Sequence, residues 1–477
     1  MSAACDLAII GAGPAGMTAA TAAAELGLNT VVLDEQPEPG GQIYRGIERL
    51  AATRPRHLDV LGPDYAAGLN LTRAFRNARS DYFDSAQVWQ VEPVEVGNRV
   101  FYKRHGTAGI LNAKKVLITV GAMERPMPVP GWTLPGVLTC GAGQTLLKAN
   151  GLAPNTSGGR FVLAGCGPLL LLLAAQLVRA GLKPAAILET TFNRWAALPH
   201  LPGFLFAPGY LGKGLALLRE LKAAGIPMHK DVTHLAIKGD TQAREIEFVC
   251  NGKTHREPVD LVFLHQGVVP NGNLAWSINL AHAWDEAQRC YRPTLDDWGR
   301  SSVPSILVAG DAGGIVGAKG AEAMGHIAAC TAAYDLGKVG VDEFNINISE
   351  FRSTLSQHRA ARPFLDALYR PAQHWITPPD ADTIVCRCEE VRAGEIRRLV
   401  TEQNCPGPNQ MKSFVRCGMG PCQGRLCGLT VVEMIAESRH VPVREVGYYR
   451  IRPPIKPVTV GDLAAMDVAT RNDAVGL

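Results

Sequence analysis

The sequence lacks a marked excess of charge, an uninterrupted apolar run and an abundance of aromatic side chains. Its 48 Lys and Arg residues against 44 Asp and Glu residues leave a formal net charge of +4 over 477 residues, which gives no reason to expect binding to nucleic acid. The most apolar window, residues 160–181, is broken by Gly165, Gly167 and Pro168, so it predicts a buried strand, turn and helix and no membrane span. Hydrophobic residues make up 47% of the chain, which together with the length is typical of an α/β protein of two or three packed units.

No basic stretch followed by an apolar segment stands at the N-terminus, so no secretory leader is expected. Twelve cysteines are present, but they are not distributed like a disulfide framework. Half of them crowd between Cys386 and Cys427, which indicates a metal or cluster site in a reducing compartment, and we expect a cytoplasmic protein. The other six stand singly among apolar residues, as small buried side chains do: Cys5, Cys140, Cys166, Cys250, Cys290 and Cys330.

A glycine turn joins a predicted strand at residues 6–10 to an alanine-rich helix at residues 17–26. Its sequence is Gly11-Ala12-Gly13-Pro14-Ala15-Gly16. In this context the first glycine permits the tight turn, the second lets the backbone approach a pyrophosphate, and the third lets the helix pack on the strand. An acidic residue should follow the next strand and hold the ribose hydroxyls. By spacing this residue is Asp34, with the neighbouring Glu35 as the alternative.

A second copy of this unit begins at Arg160. The turn keeps Gly165 and Gly167 but has Leu170 at the third glycine position, which should push the helix away from the strand. Glu189 ends the following strand and is placed to accept hydrogen bonds from a ribose. Three interpretations stay open for this second site: it binds NAD, it binds another adenine nucleotide such as ATP, or it is a relic that only folds.

Two further stretches make the chain resemble the two-dinucleotide-domain flavoproteins over residues 6–336. Gly40-Gly41-Gln42 follows the acidic residue, and Ala309-Gly310-Asp311 ends a late buried strand. The resemblance implies bound FAD, with Gly41 and Gln42 against the nucleotide, Asp311 on the ribityl chain, and Gly121 at a short strand end. The disulfide reductases of that family carry a cysteine pair, whereas Cys140 has no partner at such spacing. A dithiol mechanism is therefore not expected.

The cysteine-rich region contains a C-x-C pair and a C-x4-C pair, formed by Cys386 with Cys388 and by Cys417 with Cys422. Four thiolates brought together can hold zinc or an iron–sulfur cluster. Residues 383–437 resemble the bacterioferritin-associated-ferredoxin-type 2Fe-2S domain. That resemblance implies these four cysteines as ligands. The leftover Cys405 and Cys427 are then expected to be structural.

The whole pattern resembles the α (A) subunit of hetero-oligomeric amino-acid and opine dehydrogenases, through residues 34–42, 130–132 and 452–454. The resemblance implies a flavin-containing β subunit that oxidises the secondary amine, and in some complexes a small ferredoxin-like γ subunit. The chain would then carry electrons. Its electron acceptor is the only component through which it would attach peripherally to the inner membrane. The histidines, such as His265 and His326, are expected to be isolated, and no His–carboxylate or Lys constellation for amine oxidation is visible, so no catalytic residue is assigned.

Two other functions stay open. One is a stand-alone NAD(P)H-dependent reductase with FAD and an iron–sulfur cluster, and the other is a non-catalytic nucleotide-binding assembly subunit. The expected fold is α/β, with two dinucleotide-binding domains and a small C-terminal 2Fe-2S domain. We predict an FAD-binding domain at 1–140 and 291–345, a second nucleotide domain at 141–290, a linker at 346–382, the cluster domain at 383–440 and an extended tail at 441–477.

Overall fold

The structure is a computed structural model that describes residues 3–150, 159–464 and 466. The strands are β1 Ala3–Ile10, β2 Thr30–Leu33, β3 Asp81–Phe83, β4 Ala86–Pro93, β5 Asn98–Arg104, β6 Thr107–Ile118, β7 Ala122–Glu124, β8 Val137–Thr139, β9 Phe161–Cys166, β10 Ala186–Glu189, β11 Met228–His229, β12 His234–Lys238, β13 Glu245–Cys250, β14 Lys253–Pro258, β15 Leu261–Gln266, β16 Val268–Pro270, β17 His282–Asp285, β18 Cys290–Pro293, β19 Ile306–Val308, β20 Ile384–Cys386 and β21 Val391–Arg392.

The α-helices are α1 Pro14–Glu25, α2 Ile47–Thr53, α3 His57–Leu61, α4 Pro63–Ala66, α5 Gly68–Asn77, α6 Cys140–Asn150, α7 Pro168–Arg179, α8 Pro208–Ala223, α9 Asn273–Ser277, α10 Ala318–Asp335, α11 Val341–Leu368, α12 Gln373–Ile376, α13 Ala393–Glu402, α14 Pro408–Val415, α15 Gly428–Arg439 and α16 Val443–Val446. The segments Arg194–Leu205 and Gly310–Gly313 form 3₁₀ helices.

The first sheet contains the first glycine turn. Its parallel part has the order β3-β2-β1-β6-β19, and β4 and β5 extend β6 as an antiparallel meander. Strands β1, β6 and β19 are largely buried because helix α10 packs against α1 on one face, so the strands read as continuous apolar runs. Pro14 stands at the first position of α1, where its missing N–H costs no hydrogen bond.

The second glycine turn lies in a separate sheet of order β11-β10-β9-β15-β8, in which β9, β10 and β15 pair in parallel. A three-stranded antiparallel sheet, β12-β13-β14, packs beside it in the same apolar cluster. The short antiparallel pair of β7 and β16 joins the two sheet regions. Each of the two parallel sheets thus contains one of the two glycine turns that the sequence predicts.

The predicted linker differs from the structure. Residues 341–368 form α11, a helix of 28 residues that packs against α10 and the segment Arg194–Leu205. Phe364 of this helix meets Phe204 edge to face, with ring centroids 4.6 Å apart. The helix forms although Pro363 lies within it, because tertiary contacts on both sides offset what a proline costs.

The predicted extended tail contains helical residues at 443–446 and 460–464. After α16 the chain runs without strand or helix through residues 447–459, and Tyr449, Ile451 and Ile455 are buried. Ile455 N–H donates to the Trp89 carbonyl at 2.9 Å, which fixes the tail against β4. The prediction for residues 467–477 falls outside the described residues. No helix in the described part of the chain is long and apolar enough to cross a membrane.

Candidate functional site

The first glycine turn is closed on two sides and open on the third. A Cβ at Gly11 would lie 2.7 Å from the Thr119 carbonyl oxygen, and one at Gly16 would lie 1.8 Å from the Gly11 carbonyl oxygen. Both positions therefore serve the packing of α1 on the sheet. At Gly13 an added Cβ would meet only the Gly41 Cα, 3.8 Å away. The protein leaves room in front of Gly13, at the start of a helix, where a phosphate is favoured.

The loop at residues 40–42 lies against this turn. Gly40 N–H donates to the Ala12 carbonyl at 2.8 Å. Gly41 has φ +59°, and a Cβ there would lie 2.8 Å from the Gly13 Cα. The carbonyl of Gln42 accepts a 3.0 Å hydrogen bond from the Lys148 ammonium. Two backbone segments thus form a cradle that has no side chain at its centre.

Lys148 is buried beneath this loop. Its Nζ also donates to Gln144 Oε1 at 2.7 Å and lies 5.7 Å from the centre of the Tyr65 ring. Burial, with a smaller contribution from Arg45, lowers the pKa of Lys148 to about 7. The sequence gives no signal that singles out this lysine, because a lysine on a short helix is ordinarily a solvated residue.

The two acidic candidates after β2 have different surroundings. Asp34 is buried, and its carboxylate accepts from Ala12 N–H at 2.5 Å and from Gln36 N–H at 2.7 Å. Burial raises the pKa of Asp34, against the lowering effect of these two bonds. Glu35 is 47% exposed and pairs with Lys456 of the tail at 2.6 Å. Asp34 thus holds the glycine turn in place, and Glu35 is the acid that faces outward.

The motif Ala309-Gly310-Asp311, which follows β19, borders the first site on the side away from the loop at residues 40–42. The Asp311 carboxylate accepts from Val316 and Gly317 N–H at 2.8 and 3.0 Å, and burial raises the pKa of Asp311. A Cβ at Gly310 would lie 2.9 Å from the Ala15 Cβ. Gly121 has φ +66°, and an added Cβ there would meet nothing within 4 Å. Openings at Gly13 and Gly121, between close-packed backbone segments, fit a dinucleotide.

The second glycine turn is more enclosed. Cys166 Sγ lies 3.2 Å from Gln266 Oε1 and 3.6 Å from the Tyr369 carbonyl oxygen, just after α11. A Cβ at Gly167 would lie 3.1 Å from the His265 ring, and one at Gly165 would lie 1.7 Å from the His265 carbonyl oxygen. Glu189, the expected ribose acceptor, pairs with the Arg194 guanidinium at 3.1 Å. Leu170 is buried in the core of this unit.

A histidine–carboxylate pair corrects one sequence expectation. His265, expected to be isolated, lies 2.7 Å from Glu124 Oε1 through its Nδ1. The other oxygen of Glu124 accepts from Gly141 N–H at 2.7 Å, at the start of α6. The two residues are 141 positions apart, so no local pattern could have predicted the pair. It lies where β7 and β15 bring the two nucleotide units together.

The cysteine-rich region forms two groups of thiols. The Sγ atoms of Cys386, Cys417 and Cys427 lie within 4.8 Å of one another, and all three are buried. Cys388 is exposed and Cys422 is partly exposed, and their side chains hydrogen-bond each other. Contact with the thiols of Cys417 and Cys427 lowers the pKa of Cys386 to about 2. The structure therefore brings Cys427, expected to be structural, together with two of the predicted ligands.

The cysteine-rich region is joined to the rest of the molecule by apolar and polar contacts. Its buried residues, Cys386 and Val431 among them, form one apolar cluster with Ile10 and Val116 of the first sheet. Trp132 Nε1–H donates to the Ile384 carbonyl at 2.7 Å. A buried ion pair between Arg289 and Glu433 crosses the same boundary. Tyr449 of the tail donates to Cys417 Sγ at 3.6 Å.

Comparison with known proteins agrees with this architecture. Residues 5–335 match the family described as pyridine nucleotide-disulphide oxidoreductase, and residues 384–467 match the sarcosine oxidase A3 domain. The fold also matches L-proline dehydrogenase from P. horikoshii, with a TM-score of 0.71 over 97% of this chain and 80% of that one, at 18% identity. The fold is that of a mixed α/β FAD-dependent oxidoreductase.

Sequence relatives narrow the family. An opine oxidase subunit from Rhizobium meliloti is 44% identical over 98% of this chain and 88% of its own length. Hydrogen cyanide synthase subunit HcnB from Pseudomonas aeruginosa is 31% identical over 94% of this chain and 96% of its own length. The chain belongs to the pyridine nucleotide-disulphide oxidoreductase family, in the group that contains these subunits of opine oxidase and hydrogen cyanide synthase.

Proposed function

We propose that this chain is the FAD- and 2Fe-2S-containing electron-transfer subunit of a multi-subunit dehydrogenase. A partner flavoprotein subunit would oxidise a secondary amine of the opine, proline or hydroxyproline type. The names of the relatives support this class, since they are subunits of opine oxidase and hydrogen cyanide synthase. The single observation that carries the proposal is the apolar core that the cysteine-rich region shares with the first sheet.

The first site suits FAD. Gly13, Gly16, Gly41 and the start of α1 at Pro14 and Ala15 would hold the pyrophosphate. Glu35, which is 47% exposed, would accept from the ribose in exchange for its ion pair with Lys456, because the carboxylate of Asp34 is already bonded to Ala12 and Gln36. The following residues would complete the contacts with the nucleotide and the flavin: Gln42, Gly121, Gly310 and Asp311. When bound, FAD supplies two-electron oxidation and release of single electrons.

The cysteine-rich region suits a redox cluster more than a free-standing zinc module. A structural zinc site commonly stabilises a small domain that lacks a core of its own. Here Val431, Val432 and Ile435 of α15 are fully buried in the core shared with the first sheet. The region therefore gains its stability from packing, and the thiols are available for electron transfer close to the flavin-binding sheet.

The structure favours the electron-transfer subunit over the NAD(P)H-dependent reductase. An NAD site needs an accessible acidic group for the ribose and an open approach to the glycine turn, and the Glu189 side chain is only 16% exposed. Glu189 is paired with Arg194, and Tyr369 lies beside Cys166, Glu189 and Arg194. Leu170 fills the third glycine position. These contacts argue against a nicotinamide at the second turn and leave a smaller adenine nucleotide as the ligand to test there.

The test is co-expression of the chain with a partner flavoprotein subunit, followed by assays with amines and an artificial electron acceptor. Cys386→Ser should abolish electron delivery to the acceptor while the amine still bleaches the flavin of the partner. Cys405→Ser is the matched control and should behave as the wild type, because Cys405 lies outside the thiol group. Equal acceptor reduction by both variants would overturn the electron-transfer role.

A further inference from the structure

Five of the six cysteines in the C-terminal region lie close to another thiol, whereas a 2Fe-2S cluster takes four ligands. The structure separates them into a buried group and a rim pair. The buried group consists of Cys386, Cys417 and Cys427, and the rim pair consists of Cys388 and Cys422. The ligand set is therefore a choice between one rim thiol with all three buried thiols, and both rim thiols with two of them.

The buried group has the spacing of metal ligands. Two thiolates on one tetrahedral metal ion lie about 3.8 Å apart, given metal–sulfur bonds of about 2.3 Å. The three Sγ atoms lie within 4.8 Å of one another, and Cys386 makes hydrogen-bond contacts with both of the other thiols. Buried cysteines with a purely structural role pack against apolar side chains. Cys427 instead directs its sulfur at two thiols that the sequence already predicts as ligands.

The position of Cys427 in the chain strengthens this interpretation. Cys427 is the residue that caps the start of α15, a helix of 12 residues. The partial positive charge at that end stabilises thiolates and an anionic cluster. Tyr449 packs over the same group, with its hydroxyl 3.6 Å from Cys417 Sγ. These contacts enclose the buried thiols and exclude water from them.

The rim pair supplies the fourth ligand through Cys388. Cys388 lies near enough to Cys386 for their thiols to interact electrostatically, and the backbone N–H of Cys422 hydrogen-bonds Cys388. A Cβ at Gly420 would lie 2.2 Å from the Cys388 Cβ, so the chain before Cys422 packs directly on Cys388. Cys422 thus contacts Cys388 with its main-chain N–H as well as with its thiol, and a main-chain contact is what residues next to a ligand provide.

We propose that Cys427 is a cluster ligand, in a set with Cys386, Cys388 and Cys417, and that Cys422 is not a ligand. The proposal rests on the 2Fe-2S cluster of the proposed function and replaces one of the four ligands that the sequence resemblance implies. The second arm of the binding motif is then a C-x9-C pair, from Cys417 to Cys427. Cys422 then lies beside the cluster as a thiol that does not bind iron.

The test compares single serine variants of the full chain, expressed with iron and sulfur assembly and purified without oxygen. Iron, acid-labile sulfide, visible circular dichroism and the electron paramagnetic resonance spectrum of the reduced protein are measured. Cys427→Ser should lower the iron content by about fivefold or shift the g values, because serine oxygen binds iron differently from a thiolate. Cys422→Ser and the control Cys405→Ser should keep the iron, the sulfide and the spectrum of the wild type.

The outcomes distinguish failure of the cluster from failure of the ligand set. If the wild-type protein contains no iron and sulfide, or contains zinc instead, the 2Fe-2S cluster and this part of the proposed function are both refuted. Wild-type protein with a cluster that is lost in Cys422→Ser overturns the ligand set alone, as does an unchanged spectrum in Cys427→Ser. Flavin content and the thermal unfolding midpoint of each variant report its folding. If Cys427→Ser does not fold, the Cys422→Ser variant decides, since only the proposed set predicts that it keeps the cluster.

Discussion

At the scale of single residues, the cofactor cradle depends on the close approach of Gly41 to Gly13. A Cβ at Gly41 would lie 2.8 Å from the Gly13 Cα, at a backbone φ of +59°. Gly41→Ala must therefore move one of the two segments that face the pyrophosphate. We expect the variant to retain about one tenth or less of the bound FAD, a loss of at least about 1.4 kcal/mol in binding. Flavin absorbance per purified chain measures this.

Gly27→Ala is the control for that experiment. Gly27 ends the helix that follows the first glycine turn with φ +71°, and an added Cβ would meet nothing within 4 Å. The substitution therefore costs about 1 kcal/mol of backbone strain without touching the cradle. Flavin content equal to that of the wild type is expected. Similar flavin loss in both variants would show that general destabilisation, and not the cradle, controls binding.

The buried Lys148 makes the stability of the chain depend on pH. Burial lowers its pKa to about 7 in the folded chain, against the ordinary value of 10.5 for an exposed lysine. Between these values the unfolded state binds more protons, so the free energy of unfolding rises with pH, by at most about 1.4 kcal/mol per unit. Below pH 7 both states are protonated, so Lys148 no longer changes the stability with pH and its full burial cost remains.

The measurement is urea unfolding of the wild type and Lys148→Met at pH 7 and pH 9. The difference isolates Lys148 from other groups that titrate in the same range. Wild-type stability should rise relative to that of the variant between the two values. Parallel behaviour of the two proteins would show that Lys148 stays charged when folded.

The sequence alone predicts the positions of most candidate residues of the first site, but it does not predict all of the contacts in the structure. Gly11, Gly13 and Gly16 are placed by the local spacing of strand, turn and helix, whereas Asp311 follows from the resemblance to the flavoproteins, and the binding of FAD by all four residues stays a prediction. The His265–Glu124 pair and the placement of Cys427 cannot be predicted from the sequence, because each depends on how distant segments pack. Spacing also favours Asp34 over Glu35, whereas hydrogen bonding to Ala12 commits the Asp34 side chain to the turn itself.

At the scale of elements, the buried pair between Glu433 on α15 and Arg289 before β18 joins the cysteine-rich region to the flavin-binding unit. Both side chains are less than one tenth exposed. Glu433→Gln leaves the Arg289 charge buried without its carboxylate partner. This should lower the free energy of unfolding by about 3 kcal/mol. Urea unfolding followed by far-ultraviolet circular dichroism measures the loss.

Asp382→Asn provides the matched control at an exposed pair. Asp382 and Arg392 are 81% and 60% exposed, so breaking their ion pair should cost less than about 1 kcal/mol. A similar small effect at Glu433 would mean that apolar packing alone joins the cysteine-rich region to the first sheet.

The two strand–turn–helix units follow their sequence patterns closely, whereas α11 does not. The predicted helix at residues 17–26 and the observed Pro14–Glu25 differ by three residues at the start, because Pro14 can begin a helix. The mixed composition of residues 346–382, with Thr377, Pro378 and Pro379 near their end, predicts a linker, although Phe344, Ile348 and Leu355 stand at helical spacing on the buried side of α11. This helix depends on packing against α10 and the segment Arg194–Leu205, which the local sequence does not reveal.

At the scale of the whole molecule, the cysteine-rich region packs directly on the sheet that contains the first glycine turn. In the second nucleotide unit, Tyr369 and Arg194 lie at the glycine turn. This arrangement is consistent with the proposed role, in which the chain receives electrons from a partner and passes them on singly. The arrangement is much less suited to a protein that itself binds NADH as the reductant.

The most direct test of this electron-transfer role is an anaerobic reductive titration of the native complex, purified through a tag on this chain. An amine or opine substrate should reduce the flavin and then the cluster of this chain, with about three electrons taken up by the two centres together. NADH should reduce neither of them. Reduction of both centres by NADH, with no response to amines, would contradict the electron-transfer role and favour a stand-alone reductase.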